Sequence, residues 1–356
     1  MNKGGIWKLK KIFKILLGVL TIFTLFACGK QNSNVVNIYT WTYFIPEEII
    51  ENFEKETGIK VNISYYDNND TLLTKLFTGS TQYDIISPST DYVDILVKKG
   101  LLEKLDKNKL GKTFENLDTD RLKLYEFAKG YDEGLNYSIP YGYFATGINV
   151  NTKVLGKDFP HDLSIFLNEK YKGSMTMLDD GREVIGMVLQ NLGYPSNSKD
   201  DKQLNEVKDL LIKYKNNLAK FDSTTFGKGL ASGEFVVCHG YPDVFYETSE
   251  EEQKNFVYFL PKGAMMYIDS MSILKKAPNK DNAYKFLEYL YRPENYVKVA
   301  ERFRQIPVIK GVEQKAKIKP IITAEEVVKN AKLPMSLDEE AKEKQDRIWN
   351  EVKLAK

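Results

Sequence analysis

Apolar positions repeat with two different periods along the chain. The runs "VVNIYTW" and "IKVNISYYD" alternate as half-buried strands do, and "YDIISPS" contains the short apolar run of a buried strand. Between them, "PEEIIENFEKETG" places Ile49, Ile50 and Phe53 on one helical face, and "TLLTKLFTG" has the same helical period. Pro46 can open the first helix and Gly58 can end it. The pattern predicts β-α-β-α-β, which is typical of a mainly parallel sheet flanked by helices.

A second series of strand-like runs follows the segment "YSIPYGYFATGINVN", in which Pro140 and Gly142 interrupt an extended stretch that can cross between two lobes. The later strands are expected in "KGSMTML", "GEFVVCHGYPD" and "YFLPKGAMMYIDSMSIL". From Asn282 to Phe303 the pattern indicates two helices separated at Pro293, and "LDEEAKEKQDRIWNEVKLAK" predicts a charged surface helix. The chain is therefore expected to form two α/β lobes.

The stretch "TMLDDGREVIGMVLQNLG" joins a strand to a helix and carries three carboxylates at the junction. Asp180 and Glu183 have the spacing of a capping box, in which each side chain accepts a hydrogen bond from a free backbone N–H. Apolar residues then recur at helical spacing from Val184 to Leu192, and Gly193 is placed to end the helix. The carboxylates can serve as a helix cap, as a ligand site, or as both.

The N-terminus carries five lysines and then an apolar stretch that ends in "LFAC", which is typical of a secretory signal. The ending resembles the cleavage site of a bacterial lipoprotein, so residues 1–28 are predicted to be a signal with an acylated Cys28 at its end. Residues 29–34, "GKQNSN", would form a polar tether. An uncleaved membrane anchor is the alternative.

Net charge argues against a nucleic-acid partner. The whole chain has 51 Lys and Arg against 49 Asp and Glu, but five of these lysines lie within residues 1–28, which leaves 46 basic and 49 acidic residues. The exported part therefore has a net charge of −3, whereas nucleic-acid binding requires Lys and Arg concentrated on the folded domain. With Cys28 acylated, Cys238 has no disulfide partner.

Known catalytic motifs are missing from the sequence. It contains no G-x-x-x-x-G-K-[ST], no G-x-S-x-G and only two histidines, His161 and His239, in separate segments. A zinc enzyme or a histidine-activated nucleophile is therefore not expected, and neither is a metal or a cofactor. His239 is expected to be a core neighbour of Cys238.

Carboxylates and aromatic rings recur together at the predicted strand ends. They are Trp41, Tyr43 and Phe44; Asp91 and Tyr92; Asp180 and Glu183; Tyr241 and Asp243; and Tyr267 and Asp269. Aromatic faces attract ammonium groups and pack against methylenes, and carboxylates accept charge-assisted hydrogen bonds from N–H⁺ donors. Together these residue types suit a ligand made of amines on an alkyl chain.

With these motifs, the chain resembles the spermidine/putrescine-binding branch of bacterial ABC-transporter solute-binding proteins, from about Val35 to Phe303. The matching stretches are "TWTYFIPEEIIENFEKETGIKV", "YDIISPSTDYVDILVKKGLLEKLD", "YSIPYGYFATGINVN", "YKGSMTMLDDGREV", "GEFVVCHGY", "YIDSMSI" and "AYKFLEYLYRPE". The resemblance implies the two-lobed periplasmic-binding-protein fold of type II, with ligand in the cleft between lobes. It also implies capture of a polyamine and its delivery to an ABC permease with its ATPase subunits.

By position, Asp180 and Glu183 match the family's acids that hold amine groups, Asp269 matches the acid that anchors another ammonium, and the first lobe's wall corresponds to Trp41, Thr42 and Ser89. The sequence departs from the family at four further candidate positions: Phe44 replaces Tyr, Asp91 replaces an aromatic residue, and Tyr241 and Tyr267 replace Trp. Asp91 and Asp243 could supply acceptors for a further amine.

The expected organisation is lobe 1 in residues 35–141 plus 270–318, and lobe 2 in residues 142–269 plus 319–356. The protein is expected to be an extracytoplasmic, lipid-anchored monomer with no enzymatic activity. Two alternatives stay open: a binder of another small organic cation or amine-bearing metabolite, and a secreted hydrolase that uses Asp180 and Asp269 as an acid–base pair.

Overall fold

The computed structural model describes residues 34–42, 44–66, 68–79 and 82–355. The predicted signal 1–28, its Cys28, nearly all of the tether 29–34, and Tyr43 lie outside these ranges, so their roles remain predictions. Within these ranges, none of the helices is long and apolar enough to cross a membrane.

The first five elements follow the predicted order. They are β1 (Val35–Trp41), α1 (Glu47–Thr57), β2 (Lys60–Tyr66), α2 (Asn69–Phe77) and β3 (Ile85–Ile86). Helix α1 begins after Pro46 and ends at Gly58, which adopts a left-handed φ of 69° that favours glycine. The local signals therefore fixed both ends of this helix correctly.

The first sheet also contains β4 (Ile139–Ala145), β10 (Ala264–Ile273) and β11 (Ala331–Lys332). Its strand order is β11-β10-β3-β1-β2, and β4 also pairs with β10. The α-helices that accompany this sheet along the chain are α3 (Thr90–Lys98), α4 (Thr113–Asn116) and α5 (Leu124–Ala128), and later α12 (Lys280–Leu290), α13 (Pro293–Phe303), α14 (Val312–Lys315) and α15 (Ala324–Asn330).

The second sheet consists of β5 (Gly147–Asn151), β6 (Met175–Met177), β7 (Leu218–Phe221), β8 (Val237–Gly240) and β9 (Phe256–Phe259). Its strand order is β7-β6-β8-β5-β9. The accompanying α-helices are α6 (Thr152–Leu155), α7 (Gly181–Leu192), α8 (Asp201–Lys215), α9 (Phe226–Ser232), α10 (Val244–Glu247), α11 (Glu250–Gln253) and α16 (Glu339–Leu354). Short 3-10 helices lie at Lys107–Leu110, Leu163–Leu167 and Glu169–Tyr171.

Both sheets are mixed, whereas the sequence pattern predicts mainly parallel ones. Strands β1, β2 and β3 are parallel, as are β6, β7 and β8, but β10 is antiparallel to β3 and β4, and β5 is antiparallel to β8 and β9. The chain passes from β4 to β5 through Thr146 alone and returns from β9 to β10. An outgoing and a returning strand run in opposite directions, which explains the antiparallel pairs β4/β10 and β5/β9.

Two hydrophobic cores accompany the two sheets. The first contains Phe53, Tyr141 and Phe286 among its largest buried side chains, and the second contains Phe166 and Phe226. The predicted C-terminal helix is α16, which packs against α7 and α8. The α/β class and the two lobes agree with the prediction.

The lobe boundaries follow from these cores. Ala324, Val327 and Ala331 belong to the first core, although the sequence-based division assigns them to lobe 2. Ile348 and Val352 of α16 belong to the second core. We propose that the chain changes lobe at Thr146, between β9 and β10, and again after β11.

Candidate functional site

The junction between β6 and α7 positions the central carboxylates. Asp180 is the N-cap of α7 and accepts a hydrogen bond from the Glu183 backbone N–H at 3.1 Å, and Gly193 ends the helix in the left-handed conformation, with φ of 91°. The capping box is not reciprocal, which corrects the sequence expectation. The Glu183 carboxylate instead accepts hydrogen bonds from the Thr146 and Tyr267 hydroxyls. The cap and the buried acid are therefore separate functions of one helical turn.

A cavity of about 420 Å³, here called the acidic cavity, lies between the two lobes. Its lining residues are Trp41, Asn69, Ser89, Asp91, Tyr92, Phe144, Asp180, Arg182, Glu183, Tyr241, Tyr267 and Asp269. Eight of the eleven predicted ligand-site residues are thus brought together at one site. Four carboxylates and one guanidinium line it.

A neighbouring cavity of about 420 Å³, here called the aromatic cavity, shares Phe144 and Tyr241 with the acidic cavity. Its lining residues are Thr42, Tyr143, Phe144, Ala145, Tyr241, Pro242, Asp243, Tyr246, Tyr258, Arg302, Phe303, Arg304, Gln305, Ile321 and Ile322. Two predicted site residues, Thr42 and Asp243, therefore face this second space and not the acidic cavity.

Phe44 lines neither cavity. Its side chain is only 4% exposed and packs against the Tyr141 ring, with ring centroids 4.5 Å apart. The Phe144 ring, which lines both cavities, lies 6.2 Å from Phe44. Phe44 thus supports a cavity wall from the core, and a direct ligand contact is not part of this arrangement.

Asp269 and Tyr267 stand two residues apart on β10, so both side chains face the same side of the sheet. The Ser89 hydroxyl, at the start of α3, donates a hydrogen bond to Oδ1 of Asp269 at 2.6 Å. Burial raises the pKa of Asp269 to about 7, and the nearby Asp91 contributes to the rise. The carboxyl is therefore only about half ionised at neutral pH, and a bound cation favours its ionised form.

Glu183 has a similar pKa for a similar reason. Its side chain is 3% exposed, and burial raises its pKa to about 7 although the Thr146 and Tyr267 hydroxyls favour ionisation. Asp180 is exposed at the mouth of the cavity. Two deep acids and one exposed acid are consequently available at this site for a cationic ligand.

Asp91 differs from the other acids because it already has a cationic partner. Its Oδ2 lies 2.9 Å from a guanidinium nitrogen of Arg182. Burial raises the pKa of Asp91, and the Arg182 charge partly offsets that effect. The free acceptor expected at Asp91 is thus occupied by a side chain of the protein.

Trp41 is held in a fixed orientation on the first-lobe side of the cavity. Its indole N–H donates to the Ser87 carbonyl at 2.9 Å, and its ring lies 4.7 Å from the Tyr66 ring. Tyr241 is 38% exposed. These rings, with Tyr267, give the acidic cavity aromatic surface beside its carboxylates.

The described residues contain no group of three or more His, Cys, Asp or Glu side chains arranged to hold a metal ion. His239 is fully buried on β8, next to the buried Cys238, as the sequence predicts for a core residue.

Residues 48–331 match the family of bacterial extracellular solute-binding proteins. That match covers most of the chain. The chain belongs to this family of solute-binding proteins. Its location outside the cytoplasm follows from the same membership.

This solute-binding protein is 35% identical over 276 residues to the spermidine/putrescine-binding periplasmic protein of Escherichia coli K12, covering 77% of this chain and 78% of that protein. Its fold resembles the crystal structure of the TpPotD lipoprotein of Treponema pallidum, with a TM-score of 0.79, 32% identity and coverage of 89% and 99%. It also resembles the spermidine/putrescine ABC transporter substrate-binding protein PotD of Streptococcus pneumoniae, with a TM-score of 0.80, 26% identity and coverage of 90% and 98%.

Three cavity residues of this solute-binding protein were not selected from its sequence: Asn69, Phe144 and Arg182. Asn69 donates from its amide to the Ser89 hydroxyl at 3.1 Å, so it orients the group that contacts Asp269. Arg182 lies between Asp180 and Glu183 in the sequence, and its place in the first turn of the same predicted helix is the signal that could have identified it. Tyr92, noted in the strand-end pattern, does line the cavity.

Proposed function

We propose that this protein captures a polyamine, putrescine and/or spermidine, in the acidic cavity and delivers it to an ABC permease and its ATPase subunits for import. The observation that carries the proposal is the lining of the acidic cavity, where four carboxylates are accompanied by one guanidinium and several aromatic rings. Ammonium groups are held by charge-assisted hydrogen bonds to carboxylates and by aromatic faces. The relatives named as spermidine/putrescine-binding proteins support the same ligand class.

In this proposal the two deep acids, Asp269 and Glu183, each accept hydrogen bonds from one ammonium group of the ligand. Asp180 adds negative charge at the mouth of the acidic cavity. Trp41, Tyr241 and Tyr267 cover the methylene chain. Ser89 fixes the Asp269 carboxylate through the hydrogen bond at 2.6 Å. Hydrogen bonds hold the side chains of Trp41, Asp180, Glu183, Tyr267 and Asp269, so much of the site is pre-organised.

The roles predicted for Thr42, Asp243 and Phe44 remain predictions. Thr42 and Asp243 would contact a ligand only where it extends into the aromatic cavity. Phe44 would act through Phe144, which it supports from the core.

We further infer that the protein is a monomer held at the membrane by a lipid on Cys28 and that it performs no chemistry on its ligand. The "LFAC" ending and the polar stretch after it support the anchor. Mass spectrometry of protein from its native host should find Cys28 acylated, and Cys28→Ser should release the protein from membranes. An unmodified Cys28 would refute the anchor and leave ligand binding untouched.

Calorimetric titration with putrescine, spermidine and spermine tests the ligand. A matched diol, 1,4-butanediol, keeps the chain length and removes the ammonium charges. We expect saturable binding of at least one polyamine, no binding of the diol, and stabilisation by about 2.7 kcal/mol at a ligand concentration a hundredfold above Kd. Absence of heat and of any shift in melting temperature with all three amines would contradict the proposal.

A further inference from the structure

The ion pair between Asp91 and Arg182 joins the two lobes beside the ligand cavity. Asp91 lies in the first turn of α3, which belongs to the first lobe, and Arg182 lies in the first turn of α7, which belongs to the second. The charged atoms are 2.9 Å apart, and the side chains are 7% and 35% exposed. The contact is close and the Asp91 carboxylate is buried, so the position of its negative charge is well defined.

The pair stands at one end of the acidic cavity. A further cavity of about 340 Å³ lies beyond it and is bordered by Thr90, Asp94, Tyr131 and the segment 333–336. Asp91 is the residue that lines both spaces. The ion pair therefore forms part of the wall between them and limits how far a ligand can reach.

The pair also divides the acids into two kinds. Asp91 is neutralised by Arg182, whereas no salt bridge within the described ranges involves Glu183 or Asp269. The deep part of the cavity thus offers two carboxylates to two cationic groups. A third ammonium that approached Asp91 would have to displace the guanidinium and leave it beside the ligand's own positive charges.

We propose that Arg182 acts as a resident cation on Asp91 and makes the site selective for a diamine over a triamine. The inference rests on the proposed polyamine function and deepens it. Arg182 is a specificity-determining residue in this scheme: it satisfies Asp91 and occupies the place that a third ammonium group requires. The wild-type protein should accordingly bind putrescine at least tenfold more tightly than spermidine.

The test is calorimetric titration of the full-length, detergent-solubilised protein with putrescine and spermidine. Arg182→Gln should shift the ratio of the two affinities at least tenfold toward spermidine, because Asp91 becomes available. The matched control is Arg292→Gln. Arg292 is likewise paired with carboxylates, its side chain is 34% exposed, and it lies outside the acidic cavity. The control should leave the ratio within twofold of wild type.

The double variant Arg182→Gln/Asp91→Asn distinguishes the effect of the freed Asp91 carboxylate from the effect of the space left by the arginine side chain. It should lose the gain in spermidine affinity, because the acceptor is gone while the room remains. Persistence of the gain without Asp91, an unchanged ratio in Arg182→Gln, or a wild-type preference for spermidine would each overturn the proposal. If Arg182→Gln does not fold, Arg182→Lys retains the charge and should keep the ratio within threefold of wild type, and a tenfold shift would overturn the idea. A wild-type protein that binds neither amine would instead refute the proposed function itself.

Discussion

The two neighbouring cavities have nearly equal volumes and opposite electrostatic character. The acidic cavity is lined by four carboxylates and Arg182, a formal charge of −3 with all groups ionised. The aromatic cavity is lined by one carboxylate, Asp243, and two guanidinium groups, Arg302 and Arg304, a formal charge of +1. Size alone therefore does not identify the cation site. The lining charges favour an ammonium group in the acidic cavity and an uncharged chain in the aromatic one.

Hydroxyl groups are used differently in the two cavities. In the aromatic cavity the Tyr143, Tyr246 and Tyr258 hydroxyls donate to backbone carbonyls at 2.6–2.7 Å, which leaves the rings as the contact surface. In the acidic cavity the Ser89 and Tyr267 hydroxyls donate to carboxylates. Only the acidic cavity has its acids oriented in advance, and this pre-organisation lowers the cost of binding.

The largest predicted effect is that of Asp269→Asn. The substitution preserves shape and keeps an oxygen that can accept the Ser89 hydrogen bond, but it removes the charge. Truncating one partner of a buried charge pair costs about 2–5 kcal/mol, so polyamine affinity should fall about thirtyfold or more. Titration calorimetry measures this loss. The ligand-free melting temperature should not fall, because the variant avoids burying a carboxyl group.

If Asp269→Asn binds polyamine as tightly as wild type, the acidic cavity is not the cation site. Circular dichroism and the ligand-free melting curve serve as controls for folding.

The next effect is a dependence on pH. Glu183 and Asp269 each have a pKa raised to about 7 by burial, whereas a bound ammonium favours the ionised carboxylates. Binding should therefore release protons, and affinity should increase at least tenfold between pH 6 and pH 8. Titrations in buffers of different ionisation enthalpy count the protons released. A constant affinity across this range would contradict the assigned pKa values or the assigned site.

The same shifts predict the sign of the stability change in the ligand-free protein. Because the folded pKa values lie above the unfolded ones, the stability associated with these protons is fully present below about pH 4 and is lost as pH rises through 7. In Asp269→Asn, the loss of stability between about pH 4 and pH 7 should therefore be smaller than in the wild type, because only Glu183 still contributes to it.

Local signals predicted much of this fold. Pro46, Gly58, Asp180 and Gly193 mark helix ends through the conformations and hydrogen bonds of single residues, so their positions could be inferred without the tertiary structure. The mixed sheets could not, because strand direction depends on where the chain crosses between lobes.

The details of the site depend on contacts between distant residues. The Glu183 carboxylate does not complete the capping box because it accepts hydrogen bonds from the hydroxyls of Thr146 and Tyr267, which are 37 and 84 residues away in the chain. Asp91 is taken by Arg182 across the cleft. Residue type and spacing therefore indicated which side chains gather, but not which of their charges remain available.

A smaller effect is expected for Asp180→Asn. Asparagine caps helices about as well as aspartate, so the melting temperature should change little, whereas Asp180→Ala should cost about 1 kcal/mol of stability. Because Asp180 is exposed at the cavity mouth, loss of its charge should weaken polyamine binding only about threefold to fivefold. Paired titration and melting experiments distinguish the two roles. A loss as large as that of Asp269→Asn would indicate that an ammonium group lies at the mouth.

The smallest effect should come from Asp243→Asn, the corresponding change in the aromatic cavity. Burial, with a contribution from Glu247, raises the pKa of Asp243 to about 6, so the carboxylate is ionised at pH 8 and its charge is removed by the substitution. Arg302 and Arg304 line the same space and oppose the approach of an ammonium group. Putrescine affinity at pH 8 should therefore stay within twofold of wild type. Calorimetric titration of both variants, Asp243→Asn and Asp269→Asn, with putrescine measures the two losses of affinity under the same conditions. A tenfold loss in Asp243→Asn would mean that the ligand places a charged group in the aromatic cavity, and the assignment of ammonium groups to the acidic cavity alone would have to be abandoned.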